Sequence, residues 1–336
     1  MKKEDVRTIL FITLSNLGDI ILTTPVLEKL HDEFPRACID VITGAPGKDI
    51  FSAHPAVRKV IICKRRPSVK ERIHQVARLR RSRYDLVVDL KNSLTPYIVG
   101  ARFHSNFSKV PGMIHKKDEH LLKLRGLITG MSSFHASPGR YSAGDKLPGT
   151  KFFIPVNDDE KNYVSSIIGP TGGKKIVVIS PGAKSHLKRW NAGKYAVLAD
   201  RLVSELGCRV LVVGNDDDRE VVRDVVSRMA EPVTDLCCKT SIGALSELMK
   251  RSALVITNDS APLHVASAVN TPAVAIFGPS DERKYGPLAK KSVVMSPEIP
   301  CRPCGRALCA MGPDEGCISQ VDVEEVFRAA RGVLCE

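Results

Sequence analysis

No apolar run in this 336-residue chain reaches the roughly 18–20 residues that a membrane-spanning helix needs, which argues against such a span. The glycines form no G-x-G-x-x-G after a strand-like run, and no lysine completes a Walker loop. Nicotinamide and P-loop nucleotide sites are therefore poor readings. Aromatic residues make up 5% of the chain, with one tryptophan, too few for a stacking platform that holds single-stranded nucleic acid. The opening MKKEDVRTILFITLSNLGD has a basic start and a short apolar stretch, Ile9–Leu14. Acidic residues interrupt its start, however, and no small-residue cleavage site follows. It reads as a buried first strand, and the protein is expected to stay in the cytoplasm.

What the chain does have is positive charge. Fifty lysines and arginines against 37 acidic residues give a net charge of +13, which favours polyanionic partners or serves solubility. Arg58, Lys59, Lys64, Arg65, Arg66, Lys70, Arg72, Arg78, Arg80, Arg81 and Arg83 crowd into one stretch, with only Tyr84 as an adjacent aromatic. Two readings stay open here. One is a solvated helix face. The other is a patch for anionic lipid head groups or a phosphorylated glycan. Of ten cysteines, six are scattered and look like thiols of a reducing compartment. The other four, Cys301, Cys304, Cys309 and Cys317, are spaced C-x2-C-x4-C-x7-C. Free or redox-active thiols are favoured over a structural zinc or iron–sulfur cluster, because the spacing fits no zinc or ferredoxin pattern. Disulfides remain a third reading.

Short Ile/Val-rich runs alternate with helical patterns. Residues 7–14, 38–43, 57–62 and 85–90 read as strands, with helices over 20–33 and 68–82. A second series of strands covers 175–180, 209–213, 253–257 and 272–276. Helical stretches over 191–206, 216–229, 241–250 and 260–268 separate them, and a helix over 157–168 precedes the series. This order implies βαβ units and parallel sheets covered on both faces. The pattern starts twice, so the fold class is α/β with two Rossmann-like domains, 1–155 and 156–336. A final amphipathic helix over 322–334, capped by Asp322, is expected to pack back on the first domain.

Ligands of such sheets bind beyond the carboxyl ends of strands, so the loops there are the candidates. Ser15-Asn16-Leu17-Gly18-Asp19 places one carboxylate at a helix start, as a helix cap or as a general base. In SPGAKSHLKRW (180–190), Lys184, Lys188 and Arg189 concentrate positive charge suited to a phosphate, while Trp190 reads as a packing residue. Asp216-Asp217-Asp218 cannot all chelate one ion from a forming helix. Glu220 just beyond is a candidate for ribose hydroxyls. In TNDSAPLHVASA (257–268), Ser260 can cap a helix whose first-turn amides lie beside Asp259 and His264. These groups together suit a diphosphate and sugar hydroxyls.

LSNLGDIILTTP, SPGAKSHLKRW and TNDSAPLHVASAVNTPAVAIFGPSD, in that order, resemble glycosyltransferase family nine, which includes the ADP-heptose:lipopolysaccharide heptosyltransferases. The resemblance implies a GT-B fold, with two Rossmann-like domains whose parallel sheets face a central cleft. It also implies an inverting, metal-independent transfer that needs no cofactor. It makes Asp19 the base, Lys188 a phosphate ligand and Asp259 a contact to the donor sugar. The helix from Ser260 and Ala261 would bind the diphosphate, with His264 nearby. Ala261-Pro262 stands where several heptosyltransferases have Gly-Leu. The donor expected is ADP-heptose or a related nucleotide diphosphate sugar, and the acceptor an anionic lipopolysaccharide core. The first domain would take the acceptor and the second the donor, with peripheral contact at the cytoplasmic face of the inner membrane and no nucleic acid. The competing readings are a nucleotide-sugar epimerase on the same fold and a non-catalytic polyanion- or membrane-binding protein.

Overall fold

The computed structural model describes residues 5–63, 68–105, 113–132, 151–306, 308–309, 312 and 316–335. The chain divides into two compact units, Met1–Pro155 and Val156–Glu336.

The first unit runs β1 (Thr8–Ile12), α1 (Leu17–Glu33), β2 (Cys38–Thr43), α2 (Gly47–Ser52), β3 (Val57–Ile62), α3 (Val69–Arg81), β4 (Leu86–Asp89), α4 (Thr95–Val99), β5 (Phe103–His104) and α5 (Lys116–Ser132). Its strands are parallel, in the order β3-β2-β1-β4-β5. The central strands are apolar runs because helices cover both faces. Ile9, Leu10 and Phe11 of β1 and Leu86 and Val87 of β4 are sealed from water. The sheet order reverses between β1 and β4, which opens a crevice beyond their carboxyl ends.

Two local devices shape these elements. Pro25 lies inside α1 and removes the amide that would bond the Ile21 carbonyl. The Thr24 hydroxyl donates to Ile21 O at 2.9 Å instead, so the helix continues. After β2 a Cβ on Gly44 would fall 2.6 Å from Ser15 O, so only glycine lets the β1–α1 loop pass there.

The second unit runs α6 (Asp158–Ile168), β6 (Ile176–Ser180), α7 (Ala192–Ser204), β7 (Arg209–Val212), α8 (Arg219–Arg228), β8 (Val233–Asp235), α9 (Ile242–Lys250), β9 (Leu254–Asn258), α10 (Ala261–Ala268), β10 (Ala273–Ile276), α11 (Glu282–Tyr285), β11 (Val293–Met295) and α12 (Val323–Cys335). The parallel order is β11-β10-β9-β6-β7-β8, with its reversal between β6 and β9. This is the doubly wound arrangement of dinucleotide-binding sheets, built without their glycine fingerprint. The helix expected over 216–229 begins instead as a 3-10 turn, Asp216–Asp218. Asn215 starts it in a capping box: its Oδ1 accepts from Asp217 N at 2.8 Å, and its own N–H reaches Asp218 Oδ2 at 3.2 Å.

The last helix packs on its own unit. The apolar face of α12, with Val326, Phe327, Ala330 and Leu334, enters the core of its own unit and packs against α7. The Arg201 guanidinium caps the Phe327 ring at 3.8 Å. Asp322 Oδ1 accepts from Glu324 N at 2.7 Å and so starts the helix, as expected.

Candidate active site

In the first unit the loop after β1 delivers Asp19 to the first turn of α1, half-buried. Asn16, not Asp19, occupies the capping position, so the plain capping role for Asp19 does not hold. The Asn16 side-chain amide turns to Asp19 and donates to its Oδ2 at 3.0 Å. That bond engages one oxygen of the carboxylate.

In the second unit, loops after β6, β7 and β9 converge. Lys188 ends a short 3-10 turn, His186–Lys188, and its ammonium meets Asp259 Oδ2 at 2.6 Å. The Asp259 side chain is 5% exposed and that of Lys188 33%, so the pair has one buried and one accessible end. Asn258 bolts this corner together. Its Nδ2 donates to Pro181 O at 2.7 Å, while Oδ1 accepts from Trp190 N at 3.1 Å and from the Tyr195 hydroxyl at 3.0 Å. Trp190 is fully buried and its indole N–H donates to Val321 O at 3.0 Å, the packing role expected of it.

The start of α10 differs from expectation in detail. Ser260 holds the capping position, but its hydroxyl shares a hydrogen bond with Thr257 Oγ1 at 3.2 Å and caps no amide. Pro262 brings no N–H, and Leu263 N donates to Ser260 O at 3.1 Å. Pro262 and Leu263 therefore give the first turn few donors, and the attraction of the helix end for an anion rests mainly on its dipole. Ala261 opens the helix, and His264 is buried one turn in.

Lys184 stands exposed on the same loop as Lys188. Glu220 is exposed on the first turn of α8, and the carboxylate that reaches the loop after β6 is Asp218. A Cβ on Gly182 would fall 2.1 Å from Asp218 Oδ1, so this acid lies directly over the glycine. Burial pushes the Asp218 carboxyl above its usual range, against the Asn215 amide and nearby Arg189. Sequence reasoning missed Asp218 and Asn258. Asn258 precedes Asp259 in the same motif, so its place at a strand end was available as a signal. The contact of Asp218 with Gly182 joins two loops and leaves no mark in either.

The four clustered cysteines form no disulfide, with Cys301 exposed and Cys317 buried. Burial pushes the Cys317 thiol up, with Cys304 and Cys301 adding and Arg302 opposing. Cys304 N donates to Pro279 O at 3.1 Å, and Arg302 Nε to Gly278 O at 2.5 Å, so this segment braces the loop after β10. Among the described residues no group of three or more His, Cys, Asp or Glu is gathered to hold a metal ion. Among them, too, no helix is long and apolar enough to cross a membrane.

Comparison with known proteins finds the family model for glycosyltransferase family 9 (heptosyltransferase) matching residues 142–314. Lipopolysaccharide heptosyltransferase 3 of Escherichia coli is 28% identical, over 82% of this chain and 85% of its own length. Lipooligosaccharide heptosyltransferase 2 of Haemophilus influenzae is 25% identical, over 85% and 88%. Among solved structures, the E. coli ADP-heptose lipopolysaccharide heptosyltransferase II superposes with a TM-score of 0.75 at 24% identity. It covers 98% of both chains.

Proposed function

The chain belongs to glycosyltransferase family 9 and has that family's two parallel-sheet α/β domains, and from this premise we propose that it moves heptose from ADP-heptose to an inner-core hydroxyl of lipopolysaccharide, with Asp19 as general base. The single observation that carries the donor side is the Lys188–Asp259 pair at the sheet reversal of the second unit. One group there suits a diphosphate oxygen and the other sugar hydroxyls. The nearby start of α10 adds its dipole.

In this reading the acceptor hydroxyl lies between Asp19 and the anomeric carbon. The oxygen attacks from the face opposite the diphosphate, and its proton passes to the Asp19 carboxylate. The bond to the diphosphate oxygen breaks, and ADP leaves with the electron pair. The transition state has oxocarbenium character, as in glycoside hydrolysis. Negative charge grows on the leaving diphosphate, where the Lys188 ammonium and the α10 dipole act. Asn16 supports the base assignment by holding one Asp19 oxygen and leaving the other to take a proton. An acceptor carried in lipid sets the reaction at the cytoplasmic face of a membrane.

The test is ADP release from ADP-heptose with a core acceptor truncated before its heptose, run with and without EDTA. Transfer that inverts the anomeric centre, survives EDTA and requires acceptor supports the proposal. Conversion of donor without any acceptor would favour the epimerase reading and overturn this one.

A further inference from the structure

The first half of α3 is built to exist without packing. Ser68 and Glu71 close a capping box, with Ser68 N donating to Glu71 Oε2 at 2.8 Å and Glu71 N to Ser68 Oγ at 3.2 Å. That box satisfies amides which would otherwise need water or neighbours. Beyond it Val69, Lys70, Glu71, Arg72, Ile73 and His74 are all exposed, and the helix gains its buried anchor only at Leu79.

Val69 is 73% exposed and Ile73 62%. They stand at i and i+4, so they form one stripe with the half-buried Val76, at the spacing where helical side chains stack. Arg72 and Lys70 flank the stripe on either side. A lone exposed valine needs no explanation. Here the stripe has company, because α3 packs against α4, and the turn there leaves Leu94, Tyr97 and Ile98 in water as well. Across residues 69–83 six cations (Lys70, Arg72, Arg78, Arg80, Arg81 and Arg83) face one carboxylate, and that carboxylate, Glu71, is engaged by the cap.

Apolar residues on one stripe between cations are the make-up of a helix that lies in a membrane surface. Neither component alone is enough. Phosphates of a nucleic acid would match the cations but give Val69 and Ile73 nothing to enter. An ordinary protein groove would match the apolar residues but not the charge. We propose that the first half of α3, with the Leu94–Ile98 turn beside it, is the face on which this protein docks to an anionic lipid bilayer. Val69 and Ile73 enter the acyl boundary, and Lys70, Arg72 and their neighbours meet the lipid phosphates. The proposal takes its purpose from the reading of a lipid-borne acceptor, but its test uses neither donor nor acceptor, so each can fail alone.

The full chain is floated with vesicles of phosphatidylglycerol and phosphatidylethanolamine, and separately with phosphatidylcholine vesicles. Binding to the first and little to the second is expected. The double variant Val69→Gln, Ile73→Gln should lower the partition by roughly tenfold or more, since it removes buried apolar area and keeps every charge. Glutamine preserves helix propensity, and circular dichroism checks the fold. In a second variant, Ile73→Trp, the added emission should shift to the blue on anionic vesicles, against the constant signal of buried Trp190. Absence of anionic-vesicle binding overturns the proposal. So does binding that the glutamine pair leaves unchanged, because charge alone would then account for it. Equal binding to duplex DNA, with no blue shift of the Ile73→Trp variant on vesicles, assigns the face to nucleic acid instead.

Discussion

The Lys188 ammonium and the Asp259 carboxylate meet at 2.6 Å across 71 residues of sequence, joining the loop after β6 to the end of β9. The two ends of this pair are unequal, which separates their variants. Lys188→Met strips a nearly inaccessible carboxylate of its cation and should destabilise the second unit by about 2–3 kcal/mol. That is below the range for fully buried pairs, because the lysine side is one-third exposed. Asp259→Asn leaves an ammonium that can turn to water, and should cost less. For ligands the order separates further. Lys188→Met should weaken ADP binding roughly tenfold or more, while Asp259→Asn leaves ADP binding nearly unchanged and weakens only ADP-heptose. Calorimetric titration with both ligands checks this, and equal losses for ADP in the two variants would break the assignment.

Asp19 is held by Asn16 within the first unit, so its removal should leave the Lys188 and Asp259 loops of the second unit alone. Asp19→Asn keeps the shape and the Asn16 contact region but takes no proton. Turnover should fall by roughly 100-fold or more, with the affinity for ADP unchanged. Asn16→Ala should have a smaller effect, read in turnover and not in ADP binding. Near-normal turnover in Asp19→Asn would remove this residue from the base role.

The alternation of Ile/Val runs with helical stretches made the parallel sheets readable, because strands covered on both faces have no polar side to blur the pattern. Short edge elements escaped: β5 is two residues long and β8 and β11 three, too few for any period to register. At the site, Lys188, Asp259 and Ser260 were visible because each lies in a strand-end motif. The bond between Lys188 and Asp259 was not, nor was the Ser260 hydroxyl's choice of Thr257 over an amide, since both depend on how separate loops approach in space. Glu220 stands exposed on the first turn of α8, while the 3-10 turn before it brings Asp218 over Gly182, a meeting of two loops that neither stretch of sequence shows alone.

His120 gives the first unit an acid-sensitive point. It is buried on α5, which packs against α1, and its Nδ1 has no hydrogen-bond partner. Burial drives its pKa from 6.5 down to about 4, with Glu119 opposing and Lys123 and Lys116 adding. The folded-state value is depressed, so below pH 6.5 the unfolded chain binds the proton more readily than the folded one. The stability contributed by neutral His120 is then present above pH 6.5 and lost as pH falls towards about 4. His54 shifts in the same direction through burial, opposed by Glu28. The protection of α5 amides, expressed relative to their intrinsic exchange rate at each pH, should therefore fall as pH drops through this window, and His120→Leu should flatten much of the change. An unaltered pH profile in that variant would assign the acid sensitivity elsewhere.

The loops after β6 and β7 come close at Gly182 and Asp218. A Cβ at position 182 would sit 2.1 Å from Asp218 Oδ1 and 2.2 Å from its Cγ, so Gly182→Ala requires the carboxylate or the loop to move. Overpacking of this kind costs about 1–3 kcal/mol, and it would also displace the turn that carries Lys188. Donor affinity should fall along with stability. Asp218→Ala alone should do little harm, since burial already disfavours its charged form, although Asn215 loses the acceptor that completes its capping box. The double variant should then recover most of the stability and donor affinity lost by Gly182→Ala, because the space the methyl needs has been vacated. A thermal melt and an ADP titration on all four chains make a complete cycle. Strong non-additivity is the expected outcome for groups in contact. If the two effects simply add, the alanine's cost arises from backbone conformation, and the carboxylate is not what fills the space above Gly182.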